Sequence, residues 1–114
     1  MRTKPLLIVS LLALACVSAP AAQKPQTFVG TITDDMCANK DGHATMRMGP
    51  TDADCVRACI AAHGASYVLL DGKEVYVLSD QKAPEKFAAQ RVTVTGTLDA
   101  KTKTIHVDSI AAAK

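Results

Sequence analysis

Three cysteines and two histidines crowd into one stretch of this 114-residue chain: Cys37, His43, Cys55, Cys59 and His63. Thiolate and imidazole are the side-chain ligands that suit Zn²⁺, Cu⁺ and related soft or borderline cations. Cys55, Cys59 and His63 are spaced four apart, so a helix stacks them along one face. Cys37 and His43 precede that helix on a stretch that can fold back over it. The thioethers of Met36, Met46 and Met48 lie in the same stretch and tilt the choice of ion toward Cu⁺. The pattern predicts a Zn or Cu site with Cys37, Cys55 and Cys59 as thiolates and His43 or His63 as the imidazole.

The same cysteines support a different reading. In an oxidising compartment the default fate of paired cysteines is a disulfide. Two cysteines four apart on a helix place their β-carbons poorly for bonding to each other. A bridge from Cys37 to Cys55 or Cys59 is therefore the alternative, and it leaves one thiol over. On that reading the protein is a disulfide-stapled binding module for a peptide, saccharide or protein partner, with no metal. A thioredoxin-like redox role fits less well, because the spacing is C-x-x-x-C rather than C-x-x-C. His106 falls outside the cluster on an alternating strand, where it reads as a solvated residue. Asp34 and Asp35 read as the solvated end of a strand. No Ser–His–Asp pattern, glycine-rich phosphate loop or zinc-protease helix motif is present, and the chain reads as non-enzymatic.

The elements that must position these residues are mostly strands. Residues 27–33 (TFVGTIT) are β-rich and end at Asp34-Asp35. Residues 66–70 and 73–78 flank Asp71-Gly72, a two-residue hairpin signal; pairing 70 with 73 sets Tyr67 opposite Tyr76 and Val68 opposite Val75. Residues 91–98 alternate Val92 and Val94 against Thr93 and Thr95, as a half-buried strand does. Residues 104–110 follow, with Ile105 and Val107 inward and His106 and Asp108 outward. Residues 51–63 read as a helix, opened by a Thr51-x-x-Asp54 cap and stopped by Gly64. Residues 82–89 read as a short second helix, with Pro84 in its first turn and Phe87 as its core anchor. The order predicts a mainly β fold with short helices: a small five-stranded OB-like barrel carrying a Cys/His-bearing loop–helix insertion, residues 36–64, between strands 1 and 2.

The N-terminus reads as an address. Arg2 and Lys4 precede an uncharged run over residues 6–17, and small residues follow at Ala19, Ala21 and Ala22. This is the secretory pattern, and the run is short of the roughly 20 residues a membrane helix needs. The expectation is a signal peptide over 1–22, a single OB-like β-barrel domain over 23–114, and a periplasmic or secreted location. Cys16 raises the alternative of a lipid anchor, disfavoured because Ala13 stands where such signals usually carry Leu. Losing Arg2 and Lys4 leaves eleven basic against eleven acidic residues. A near-neutral chain with no Trp and only two Tyr and two Phe is poorly equipped to bind nucleic acid. No later stretch is long and apolar enough to be a transmembrane segment.

The run Gly30-x-Ile32-x-Asp34-x-Met36-Cys37, then His43, Cys55-Val-Arg-Ala-Cys59 and Gly64-Ala-x-Tyr67-Val-Leu resembles a family of small exported bacterial proteins, a domain of unknown function. The similarity continues through Val75-Tyr76-x-Leu78 and Val92-Thr-Val-Thr-Gly96-Thr to Ile105-x-Val107. The resemblance implies an exported OB-like barrel whose Cys and His positions recur as a set. On that basis Cys37, His43, Cys55 and Cys59 carry over, whereas His63 does not. The family has no established activity, so the resemblance bears on fold and compartment more than on function; the partner read from the residues themselves is a metal ion or an unidentified small ligand or protein.

Overall fold

A computed structural model describes residues 23–38 and 48–114. The expected leader, with Cys16, and the segment holding His43 and Met46 lie outside the described residues. Five strands, β1 (Gln26–Asp34), β2 (Tyr67–Asp71), β3 (Glu74–Leu78), β4 (Arg91–Asp99) and β5 (Thr104–Ala112), make the described residues mainly β. Among the described residues one α-helix, α1 (Asp52–His63), lies between β1 and β2, and a 3₁₀ helix (Ala83–Phe87) lies between β3 and β4. Among the described residues no helix is long and apolar enough to cross a membrane.

The sheet closes on itself in the order β1-β2-β3-β5-β4. Closure depends on β1 serving two neighbours. Its first part, from Gln26 to Thr31, pairs antiparallel with β4, and its last part, from Thr31 to Asp34, with β2. β3 and β5 run parallel through Val77↔Thr104 and Leu78↔Ile105. Two glycines sit where strands come too close for a side chain. A Cβ on Gly30 would lie 2.5 Å from the Leu70 carbonyl oxygen, and one on Gly96 would lie 2.2 Å from that of His106. Gly96 also marks the register shift between β4 and β5, as expected where a strand bends through a bulge.

The hairpin register differs from the expected one. Leu70 pairs with Val75 and Asp71 with Glu74, so the loop is Gly72-Lys73. Only Gly72 of those two has positive φ, at 59°, the pattern of a II′ turn with glycine first. Asp71 therefore stays in the strand instead of occupying a turn position that would need positive φ. The two-residue slip preserves which side chains share a face, because the period of a strand is two. The second expected helix is the 3₁₀ turn, in which Pro84 is buried and Phe87 only partly so.

Ile32, Tyr67, Leu69, Leu78, Ala88, Val92, Val94 and Ile105 fill the interior, and Val56 of α1 joins them. The alternation read from β4 and β5 holds: Val92, Val94 and Ile105 are fully buried, while His106 and Asp108 are exposed. Where the β2–β3 ladder stops at Val68↔Val77, the Gln81 side chain continues it. Its Oε1 accepts from the Tyr67 N–H (2.7 Å), and its Nε2 donates to the carbonyls of Tyr67 (3.0 Å) and Leu78 (2.8 Å).

Candidate metal centre

The helix that carries two of the cysteines begins and ends as its sequence dictates. Thr51 is extended and its hydroxyl oxygen accepts from the Asp54 N–H at 3.1 Å. Asp54 does not reach back to the Thr51 N–H as a full capping box requires; its Oδ2 accepts from the Thr51 hydroxyl at 2.7 Å. Gly64 ends the helix in the left-handed region, and its N–H donates to the Cys59 carbonyl. Between these stops α1 serves two masses of buried side chain. Val56, with Ala53 and Ile60 beside it, packs into the strand interior. Cys55 and Cys59, one helical turn apart, face a second cluster that they form with Cys37.

Cys37 reaches that cluster because of Asp34. Gly30, Ile32 and Asp34 alternate on the inward face of β1, and Asp34 is fully buried at the strand's end. Its Oδ1 accepts from the backbone N–H groups of Met36 (3.0 Å) and Cys37 (2.9 Å), and its own carbonyl accepts from the Ala38 N–H (3.0 Å). This single turn swings the chain off the strand and drops Cys37 onto α1. Among the described residues the other carboxylate oxygen, Oδ2, is buried with no hydrogen-bond partner. A buried acceptor left so costs about 1–3 kcal/mol, and more when charged.

The three sulfurs lie within 4.8 Å of one another. Tetrahedral sulfurs around Zn²⁺, at Zn–S of about 2.3 Å, stand about 3.8 Å apart, so small side-chain rotations separate this arrangement from a coordinating one. Cys37, Cys55 and Cys59 are 3%, 1% and 0% exposed, and all three are free thiols. Burial first, and then the Asp34 carboxylate, push the Cys37 thiol far above its ordinary range. The same two causes, in the same order, raise Cys59. Cys37 and Cys59 are thereby held protonated near neutral pH, and a cation that binds them must displace their protons.

Met48 packs against the thiols, partly buried, together with Ala65, whereas Met36 is 36% exposed. His63 is exposed in the last turn of α1 and is not among the grouped ligands. His43 falls outside the described residues, and His106 lies exposed on β5, on a different element from the thiols. Asp34 is the residue the sequence reading misplaced: expected as a solvated strand end, it is fully buried. Its signal was available in the alternation Gly30, Ile32, Asp34, which sets it on the inward face.

Residues 60–113 match the model of a protein family of unknown function, DUF5818. The DUF5818 match starts inside α1 and runs through β2 to β5. It therefore takes in four of the five strands and none of Cys37, Cys55 and Cys59. No curated protein and no solved structure matches the chain.

Proposed function

We propose that this protein binds a thiophilic transition-metal ion, Zn²⁺ or Cu⁺, through Cys37, Cys55 and Cys59, as a non-enzymatic OB-like barrel exported to the periplasm or beyond. The observation that carries the reading is three buried free thiols, from two separate elements, with sulfurs within 4.8 Å of one another. The partly buried Met48 beside them supplies a soft environment. Strand order supports the OB assignment: β1 pairs with both β2 and β4, and β3 lies parallel to β5. The leader pattern of residues 1–22 supports export, with a mature chain beginning at Ala22 or Gln23. His43 and His63 remain candidates for an imidazole ligand, His43 from the resemblance and His63 from its spacing.

The competing reading is the disulfide-stapled binding module, because Cys37 is close enough to either helix cysteine to be oxidised onto it after a small movement. Intact-mass and metal analysis of the protein recovered from an oxidising compartment separates the two. Stoichiometric metal with all thiols titratable upholds the metal reading. A loss of two protons in mass without metal overturns it in favour of the staple. His43→Ala and His63→Ala then assign the imidazole, as a ligand's loss weakens binding far more than a bystander's.

A further inference from the structure

Three thiolates leave a tetrahedral ion one ligand short. The group next to them is the Asp34 carboxylate, wholly buried at the end of β1. Its two oxygens have different fates. Oδ1 is committed to the turn that places Cys37, while Oδ2 has no partner among the described residues. A fully buried anionic oxygen is expected to be hydrogen-bonded or to coordinate a cation. We infer that Asp34 belongs to the metal site, its Oδ2 supplying the fourth donor to an ion held by Cys37, Cys55 and Cys59. The inference rests on the metal reading above and sharpens it in two ways.

First, the fourth ligand is a carboxylate of the first strand and not an imidazole. Second, the donor set chooses the ion. A hard oxygen beside three thiolates suits Zn²⁺, whereas Cu⁺ is satisfied by the soft sulfurs alone. With four protein ligands the site is closed, leaving no position for a catalytic water. Asp34 reaches the cluster through Cys37, from whose backbone N–H its Oδ1 accepts at 2.9 Å; its oxygens are not within 4.8 Å of all three sulfurs, so Oδ2 and the thiols must close together on the ion as it enters. The turn built on Oδ1 fixes the carboxylate and Cys37 as one unit, so the strand end presents two ligands and α1 the other two.

The test compares Zn²⁺ and Cu⁺ affinities of the reduced protein and of Asp34→Asn, by competition with chromophoric chelators. Asn keeps the acceptor that caps the turn and removes the anionic donor. Loss of a partner one shell outside a metal typically weakens binding 10–100-fold. Loss of a ligand should reach at least the upper end, so Zn²⁺ binding should fall about 100-fold or more, with Cu⁺ binding changed less than about 10-fold. Equal losses for both ions, or an unchanged Zn²⁺ affinity, overturn the inference. X-ray absorption of the zinc-loaded wild-type protein needs no variant: three sulfurs and one oxygen are expected, and an imidazole in the fourth place overturns it. Should Asp34→Asn fail to fold, the X-ray absorption of the wild-type protein decides alone. A wild-type protein that binds Cu⁺ but not Zn²⁺ defeats only this inference, whereas one that binds neither defeats the metal reading itself.

Discussion

The strand interior and the thiol cluster are almost equally dry, and they are built on opposite terms. In the interior, Ile32, Leu69, Leu78, Val92, Val94 and Ile105 are 0–1% exposed, and each is satisfied by the apolar neighbours it touches. In the cluster, Cys37, Cys55 and Cys59 are 0–3% exposed, yet a carboxylate oxygen beside them lacks a partner among the described residues. The first region is complete as it stands, and its stability is the sum of burial and fit. The second gains from something brought in. Cys55 and Val56, adjacent on α1, belong one to each region, so the helix carries both logics on neighbouring residues. A structure that buries polar groups without satisfying them locates function, whereas one that buries apolar groups well locates only the fold.

The comparison breaks most visibly at Val94. Val94→Asp sets a carboxylate at a fully buried position of β4, where ionisation costs several kcal/mol or forces protonation. Thr93→Asp, on the alternate and partly exposed face, should be tolerated. Urea denaturation of the two variants checks this, and equal midpoints would refute the two-faced reading of β4.

The cluster should answer to metal where the interior does not. Saturating Zn²⁺ at about a thousand times Kd adds roughly 4 kcal/mol to a protein that binds it only when folded. Wild-type protein should show that increment in thermal unfolding, and Cys59→Ser should lose it. Without metal, Cys59→Ser should differ little from wild type, because serine is smaller by little and the cluster holds no paired charge to break. A variant in the interior such as Leu69→Ala should instead lose about 2–5 kcal/mol with the metal increment intact.

Alkaline pH gives the smallest contrast. An unfolded cysteine ionises near its ordinary 9.0, whereas burial and Asp34 hold the native Cys37 and Cys59 protonated to higher pH. Above pH 9 the native chain thus binds more protons than the unfolded one. The stability these thiols contribute is fully present below that pH and declines as pH rises, by up to about 1.4 kcal/mol per pH unit for each. Metal-free protein should show this decline in unfolding free energy between pH 9 and 10, and zinc-loaded protein, already deprotonated at the sulfurs, should not.

How much of this was legible in the residues differs between the same two regions. Alternation alone places Val92, Val94 and Ile105 inside and His106 outside, since a strand has one period and the interior accepts only apolar side chains. The ends of α1 follow from Thr51 and Gly64, whose local chemistry overrides little else. The hairpin register did not follow, because Asp71-Gly72 and Gly72-Lys73 both make workable two-residue loops and the two registers put the same side chains on each face. In the cluster, helical spacing brings Cys55 and Cys59 together, but the meeting with Cys37 depends on a turn. That turn is made by a side-chain oxygen of Asp34, a residue whose charge argues for the surface. Hydropathy weighs a residue by its cost in an apolar medium and has no way to anticipate a hydrogen bond or an ion that cancels it.

The Gln81 amide has a consequence for how copies of the chain meet. A strand end with free N–H and C=O groups is a template on which a segment of another molecule can add. At Tyr67 both groups, and the carbonyl of Leu78, are taken by one side chain, which imitates a peptide unit without extending the strand. The seam between β2 and β3 is thereby closed to intermolecular pairing. The imitation also depends on a nitrogen: Gln81→Glu would turn an oxygen toward two carbonyls and reopen the seam. A change of one atom at that position leaves the Tyr67 and Leu78 carbonyls without their donor.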